Sequence, residues 1–169
     1  MPRISVPPAS DPLVLLWGSL APGLTPTAAA FTDAVYKRST LPLREFEAAR
    51  ITIARINDCT LCLDWRSARD VPERATGGDG ETIVIDEAFY DSVLGDRAGL
   101  SDREALAAEF AERFALAHRD MDDELWGRLH TAFSDSELVE LGLCVGSWIA
   151  FGRLNRVFDV DGGCRVPQR

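Results

Sequence analysis

Histidine is scarce in this sequence, with only His118 and His130 present, and basic clusters, long apolar runs and repeated strand-like runs are missing altogether. Each shortage removes a class of function. Lys plus Arg total 18 against 27 Asp plus Glu, a net charge of -9, and nothing basic is clustered enough to grip a phosphate backbone. Nucleic acid is therefore not an expected partner. The N-terminal apolar patch LVLLW is broken off by prolines and Asp11 and falls far short of the roughly 20 residues a membrane span needs. No membrane partner is expected. Four cysteines are few for a secreted scaffold of 169 residues. Neither Cys144 nor Cys164 brings a second CxxC or an HxxxH to complete a zinc site, so no metal is expected. The expected compartment is the cytoplasm, where a CxxC pair is kept mostly reduced and a disulfide is transient and catalytic.

What is present points to helices. At 169 residues and 46% hydrophobic content the chain suits one domain, 1–169, with an extended Pro-rich arm at 1–10 and a tail at 159–169. Asp11-Pro12 and Thr25-Pro26 each read as a helix start, the first for a short apolar helix through Leu20, the second for one through Arg38. Ser101 with Glu104 and Ser134 with Glu137 form capping boxes. The second box opens the longest helix, to about Val157, which is expected to be central or intersubunit. Gly142, Gly146 and Gly152 within it are expected to admit another helix backbone. Residues 71–82 have the composition of a mobile loop, and Ile83-Val84-Ile85 finds no partner strand, so it reads as an extended link. The class is all-α.

The chemistry concentrates between Leu43 and Asp70. A helix starting at Pro42 puts Phe46, Ala49, Ile53 and Ile56 on one face, with Glu47 at the edge of that stripe and partly buried. A break at Asn57-Asp58 follows, and Cys59-Thr60-Leu61-Cys62 opens a second helix through Leu63, Trp65 and Ala68. Unpaired N–H groups in a first helical turn favour a thiolate over a thiol, so one cysteine of the pair is expected to be reactive. Cys144 reads as a small buried hydrophobe and Cys164 as a bystander. Trp65, Trp126 and Trp148 read as core or interface anchors. Asn155 and Arg156 either line the site from the last helix or make solvated or intersubunit pairs.

Glu47, eleven residues, then the CxxC, together with ITIARINDCTLC and the late GRLNR run, resembles the alkylhydroperoxidase D-like part of the carboxymuconolactone decarboxylase family. The resemblance covers about Thr25 to Phe158. It implies an all-helical bundle assembling as a homo-oligomer (dimer, trimer or hexamer) that acts as a thiol-dependent peroxidase or disulfide reductase. Its partners would be a hydroperoxide and a dithiol reductant, or a thioredoxin- or lipoyl-like protein donor, with no bound cofactor. In that family a Glu matching Glu47 and a His four residues after the second Cys relay protons to the thiols. Here that position is Arg66, and the position between the cysteines that is often His is Leu61.

Arginine stays protonated and cannot shuttle, so Arg66 is expected to stabilise a Cys62 thiolate or to pair with Glu47, or else to form a simple surface salt bridge. Glu47 has the alternative of an ordinary pair with Arg50 or Arg44. The helix-start argument favours Cys59 as the attacking thiol. The resemblance and the one-turn distance to Arg66 favour Cys62, with Cys59 resolving. The catalytic candidates are thus Cys62, Cys59, Glu47 and Arg66, with turnover weakened by the missing histidine. Two other classes stand beside the peroxidase: a lactone decarboxylase-type lyase, and a non-enzymatic redox-sensing oligomeric module.

Overall fold

The structure is a computed structural model of the chain and describes residues 1–74, 76 and 82–160. Its helices, in order, are α1 (Pro12–Gly18), α2 (Thr25–Arg38), α3 (Leu43–Ile56), α4 (Thr60–Asp64), α5 (Ser67–Asp70), α6 (Glu87–Leu94), α7 (Asp102–Leu116), α8 (Asp123–Ala132) and α9 (Asp135–Val157). Short 3₁₀ turns follow α5 and α7. Among the described residues the sole β pairing is an isolated bridge between Thr76 and Thr82, so the protein is all-α. The tail from residue 161 on, with Cys164 and the Gly162-Gly163 pair, lies outside the described residues, as does most of the glycine-rich loop.

Local rules account for most helix starts. Asp11 accepts from the Leu13 and Val14 N–H groups and Asp86 from Phe89 N–H, and both capping boxes close reciprocally. The helix that everything surrounds is α3 rather than α9. All of its residues but Arg44, Arg55 and Ile56 are buried, and it packs against α4, α6, α7 and α9. Its Phe46, Ala49 and Ile53 face a core shared with Leu106, Phe110, Leu141 and Trp148. The opposite side, Ala48, Ile51 and Ala54, faces Phe89, Tyr90 and Val93 of α6. A helix apolar on two sides is enclosed on two sides, and α9, with Val139, Leu143 and Val157 exposed, is not.

Two helix ends aim the chain at the site. At α3 the Asp58 N–H donates to Arg55 O (3.1 Å) and the Cys59 N–H to Ala54 O (3.2 Å), with Asp58 left-handed at φ 52°. This Schellman ending is repeated at α9, where Asp159 (φ 53°) donates to Arg156 O and Val160 to Asn155 O. Arg156 joins the two turns, lying 2.9 Å from Asp58 and 3.8 Å from Asp159.

The α9 glycines do not bring in a helix backbone. Among the described residues, a Cβ on Gly146 would meet nothing within 4 Å, and one on Gly142 would only graze the Phe114 ring. At Gly152 it would stand 2.5 Å from Nδ2 of Asn57. That side chain, the C-cap of α3, donates to Trp148 O (2.8 Å) and needs the open face.

Candidate functional site

Cys59 occupies two structural roles at once. It is the buried residue that ends the Schellman turn of α3, and it is the N-cap of α4, its Sγ accepting from the Cys62 N–H at 3.3 Å. Cys59 and Cys62 form a disulfide with their Cα atoms 5.3 Å apart. Cys59 is wholly enclosed. Cys62 is partly exposed and forms part of the wall of a cavity of about 650 Å³, which Arg50 and Tyr36 also line.

The helix carrying the pair is shorter than the sequence suggests. It stops at Asp64, because Trp65 and Arg66 are extended, and α5 begins only at Ser67. The interruption is stabilised by two guanidinium groups on the orphan carbonyls of the α4 end. Arg50 donates to Cys62 O (2.7 Å) and Trp65 O (2.8 Å), while Arg66 donates to Leu63 O (2.6 Å) and Trp65 O (2.9 Å). A continuous helix would engage those carbonyls itself and leave Arg50 with Glu47 alone.

Restarting at Ser67 also delivers a hydroxyl to Glu47. The carboxylate takes Arg50 Nε (2.7 Å) and Ser67 Oγ (2.5 Å) on Oε1, and Arg50 Nη2 (2.9 Å) and Tyr90 Oη (2.7 Å) on Oε2. Glu47 is 0% exposed, so burial pushes its carboxyl up. The Arg50 guanidinium and these hydrogen bonds pull it the other way and hold it below the ordinary carboxylate range. Arg50 is buried too, and Glu47 keeps its pKa above the ordinary guanidinium value. This is a fully bonded ion pair, and a pair that close in a dry site survives only with its remaining donors and acceptors satisfied.

The four predicted residues are therefore placed in two groups. Cys59, Cys62 and Glu47 belong to one structure, joined through Arg50. Arg66 braces the same loop from its other side: its guanidinium forks onto Glu87 (2.9 and 2.7 Å) and lies 4.0 Å above the Tyr90 ring. Glu47 pairs with Arg50, three residues on, and not with Arg66 or Arg44, which binds Glu104. Among the described residues the bonds of Glu47 run to Arg50, Ser67 and Tyr90. His118 sits in the 3₁₀ turn after α7, and His130 pairs with Asp135 at 3.3 Å. Neither belongs to the cavity wall.

Sequence reasoning missed Arg50, Ser67, Tyr90 and Tyr36 as site residues. The Glu47–Arg50 spacing was a visible signal, whereas Ser67 and Tyr90 are set by folding alone. Burial pushes the Tyr36 hydroxyl up to about 12, so it stays protonated on the cavity wall. Of the two alternatives open for the last helix, Asn155 takes the first and lines the cavity, and Arg156 takes the second in a solvated pair with Asp58. Cys144 is a free, buried thiol, raised to about 12 by burial first and Glu140 second, and it behaves as a small hydrophobe. Among the described residues no helix is long and apolar enough to cross a membrane.

Fold and site together define an all-α protein with a CxxC disulfide clamped over a buried Glu–Arg pair, with Cys62 lining a cavity. No family model matches the sequence, and no solved structure matches it. Over 137 residues, 79% of this chain and 70% of the relative, it is 34% identical to the Uncharacterized protein YnjA of Escherichia coli (strain K12). The chain belongs to the family of that protein.

Proposed function

We propose that the protein is a thiol-dependent peroxidase or disulfide reductase that reduces hydroperoxides through Cys62 and Cys59. The observation that carries this reading is the asymmetry of the pair: Cys62 lines a cavity and Cys59 is sealed behind it in disulfide range. Only a sulfur on an accessible wall can meet a substrate. The Cys62 thiolate attacks the terminal oxygen of ROOH, the O–O bond breaks, and RO⁻ takes up the proton released when the thiol ionised. Cys62 is then a sulfenic acid, and the Cys59 thiol condenses with it to give the disulfide and water. A dithiol donor exchanges with that disulfide, leaving both thiols reduced and its own sulfurs oxidised. The resemblance to the alkylhydroperoxidase D-like proteins supports the same assignment.

Within this cycle Glu47 is a positioning residue, because its bonds go to Arg50 and the Arg50 bonds go to the backbone of the CxxC loop. Hydroperoxide consumption measured with dithiol and monothiol donors tests the reading. Wild type should turn over with the dithiol, and Cys62→Ser should fall to the uncatalysed rate. Cys59→Ser should halt after one equivalent, with a sulfenic acid on Cys62 seen by mass spectrometry. Turnover persisting in Cys62→Ser would refute the mechanism and move the attacking group to another residue.

A further inference from the structure

Hydrogen peroxide is little larger than water, yet Cys62 lines a cavity of about 650 Å³, a size typical of sites for organic ligands. Part of its wall is aromatic, beside charged groups such as Asp33, Lys37 and Glu73. Three of the protein's four tryptophans, Trp17, Trp65 and Trp148, line it together with Tyr36 and Phe151. These rings come from α1, α2, the α4–α5 join and α9, so folding gathers them from 135 positions of sequence. Among the described residues, Trp65 Nε1 and Ser147 Oγ on the same wall are buried polar atoms without a hydrogen-bond partner.

Trp17 differs from the other rings in how it is held. It sits on α1, a helix of seven residues and too short to stand alone in water. Its Nε1–H donates to Asn155 Oδ1 (2.8 Å) and its ring meets Phe151 edge-on at 5.2 Å. Phe151 in turn meets Phe31 of α2 at 6.5 Å. One side chain thus fastens α1 to α9 and walls the cavity that reaches Cys62.

We propose that this cavity binds an organic hydroperoxide bearing an aromatic ring, and that Trp17 determines this specificity by closing one wall around the ring. The proposal rests on the peroxidase reading and adds the substrate class. An aromatic face offers a flat apolar group offset or edge-on contacts that a peroxide without a carbon skeleton cannot make. Trp17 therefore acts on the large substrate and leaves the small one alone.

Steady-state kinetics with cumene hydroperoxide and hydrogen peroxide test this on wild type, Trp17→Ala and Trp17→Phe, with thermal melts to confirm folding. Trp17→Ala should lose at least tenfold in kcat/KM for cumene hydroperoxide, mainly through KM, and change less than threefold for hydrogen peroxide. Trp17→Phe should recover most of that loss. Equal losses for both substrates, or none for cumene hydroperoxide, would overturn the proposal. A second measurement separates it from the peroxidase reading: 2-phenyl-2-propanol, the unreactive alcohol product, should slow alkylation of Cys62 by iodoacetamide in the reduced protein, and Trp17→Ala should abolish that protection. Protection without hydroperoxide turnover would support the ring site and refute the peroxidase reading. No protection in wild type would overturn the ring site.

Discussion

Two forked Arg–Glu pairs flank the disulfide loop, and the environments around them are opposite. Glu47 and Arg50 are 0% and 1% exposed, whereas Glu87 of the Arg66 pair is 69% exposed. The bond lengths are alike, so geometry does not separate them. Solvent does. Glu87, held below its ordinary value first by the hydrogen bond from Arg66, can exchange that bond for water. Glu47 has no such exchange available, and losing either partner leaves a charge stranded in the core.

The comparison can be broken most directly at Glu47. Glu47→Gln should cost roughly 3–5 kcal/mol in urea unfolding, because Arg50 becomes an uncompensated buried charge. A cost under about 1 kcal/mol would make the two pairs equivalent. Tyr90→Phe removes one donor to the same carboxylate and should cost about 1.5–3 kcal/mol, the range for hydrogen bonds to charged groups.

The pH profile sharpens the contrast. The folded pKa of Glu47 is depressed, so its contribution is fully present above the unfolded carboxylate value of about 4.3 and is lost as pH falls below it towards the folded value. Stability measured from pH 6 to pH 3 should therefore fall less steeply in Glu47→Gln than in wild type, and parallel profiles would remove Glu47 from the acid response. The smallest effect belongs to Glu87→Gln, expected at about 0–1 kcal/mol and shrinking further in added salt. A loss as large as that at Glu47 would mean that Arg66 braces the loop as firmly as Arg50.

The sequence makes the helices legible because their signals are local. Asp11, Ser101 and Ser134 cap within three residues of themselves, and Asn57-Asp58 breaks α3 where the turn residues stand. The face of Phe46, Ala49 and Ile53 follows from period alone. What depends on distant chain is hidden. The stop at Trp65 carries no proline or glycine; it exists because Arg50, fifteen residues earlier, takes the Trp65 carbonyl. Glu47 looks like an edge residue until Tyr90 and Ser67 arrive from other elements to enclose it. Likewise, the glycines of α9 announce a close approach without saying to what, and only Gly152 has one, to a side chain.

The grip of Arg50 on the carbonyls of Cys62 and Trp65 bears on what happens when the sulfur–sulfur bond opens. A loop kept shut by its disulfide alone drifts apart on reduction and must find its closed shape again before the sulfurs can rejoin. Here the backbone beyond Cys62 is fastened to α3 by a charged group that electron transfer does not touch. Reduction parts two atoms and leaves their supports in place, so the encounter that re-forms the bond begins from neighbours rather than from a search. The buried pair works as the pin of a hinge: the leaves open and close, and the pin stays where it is.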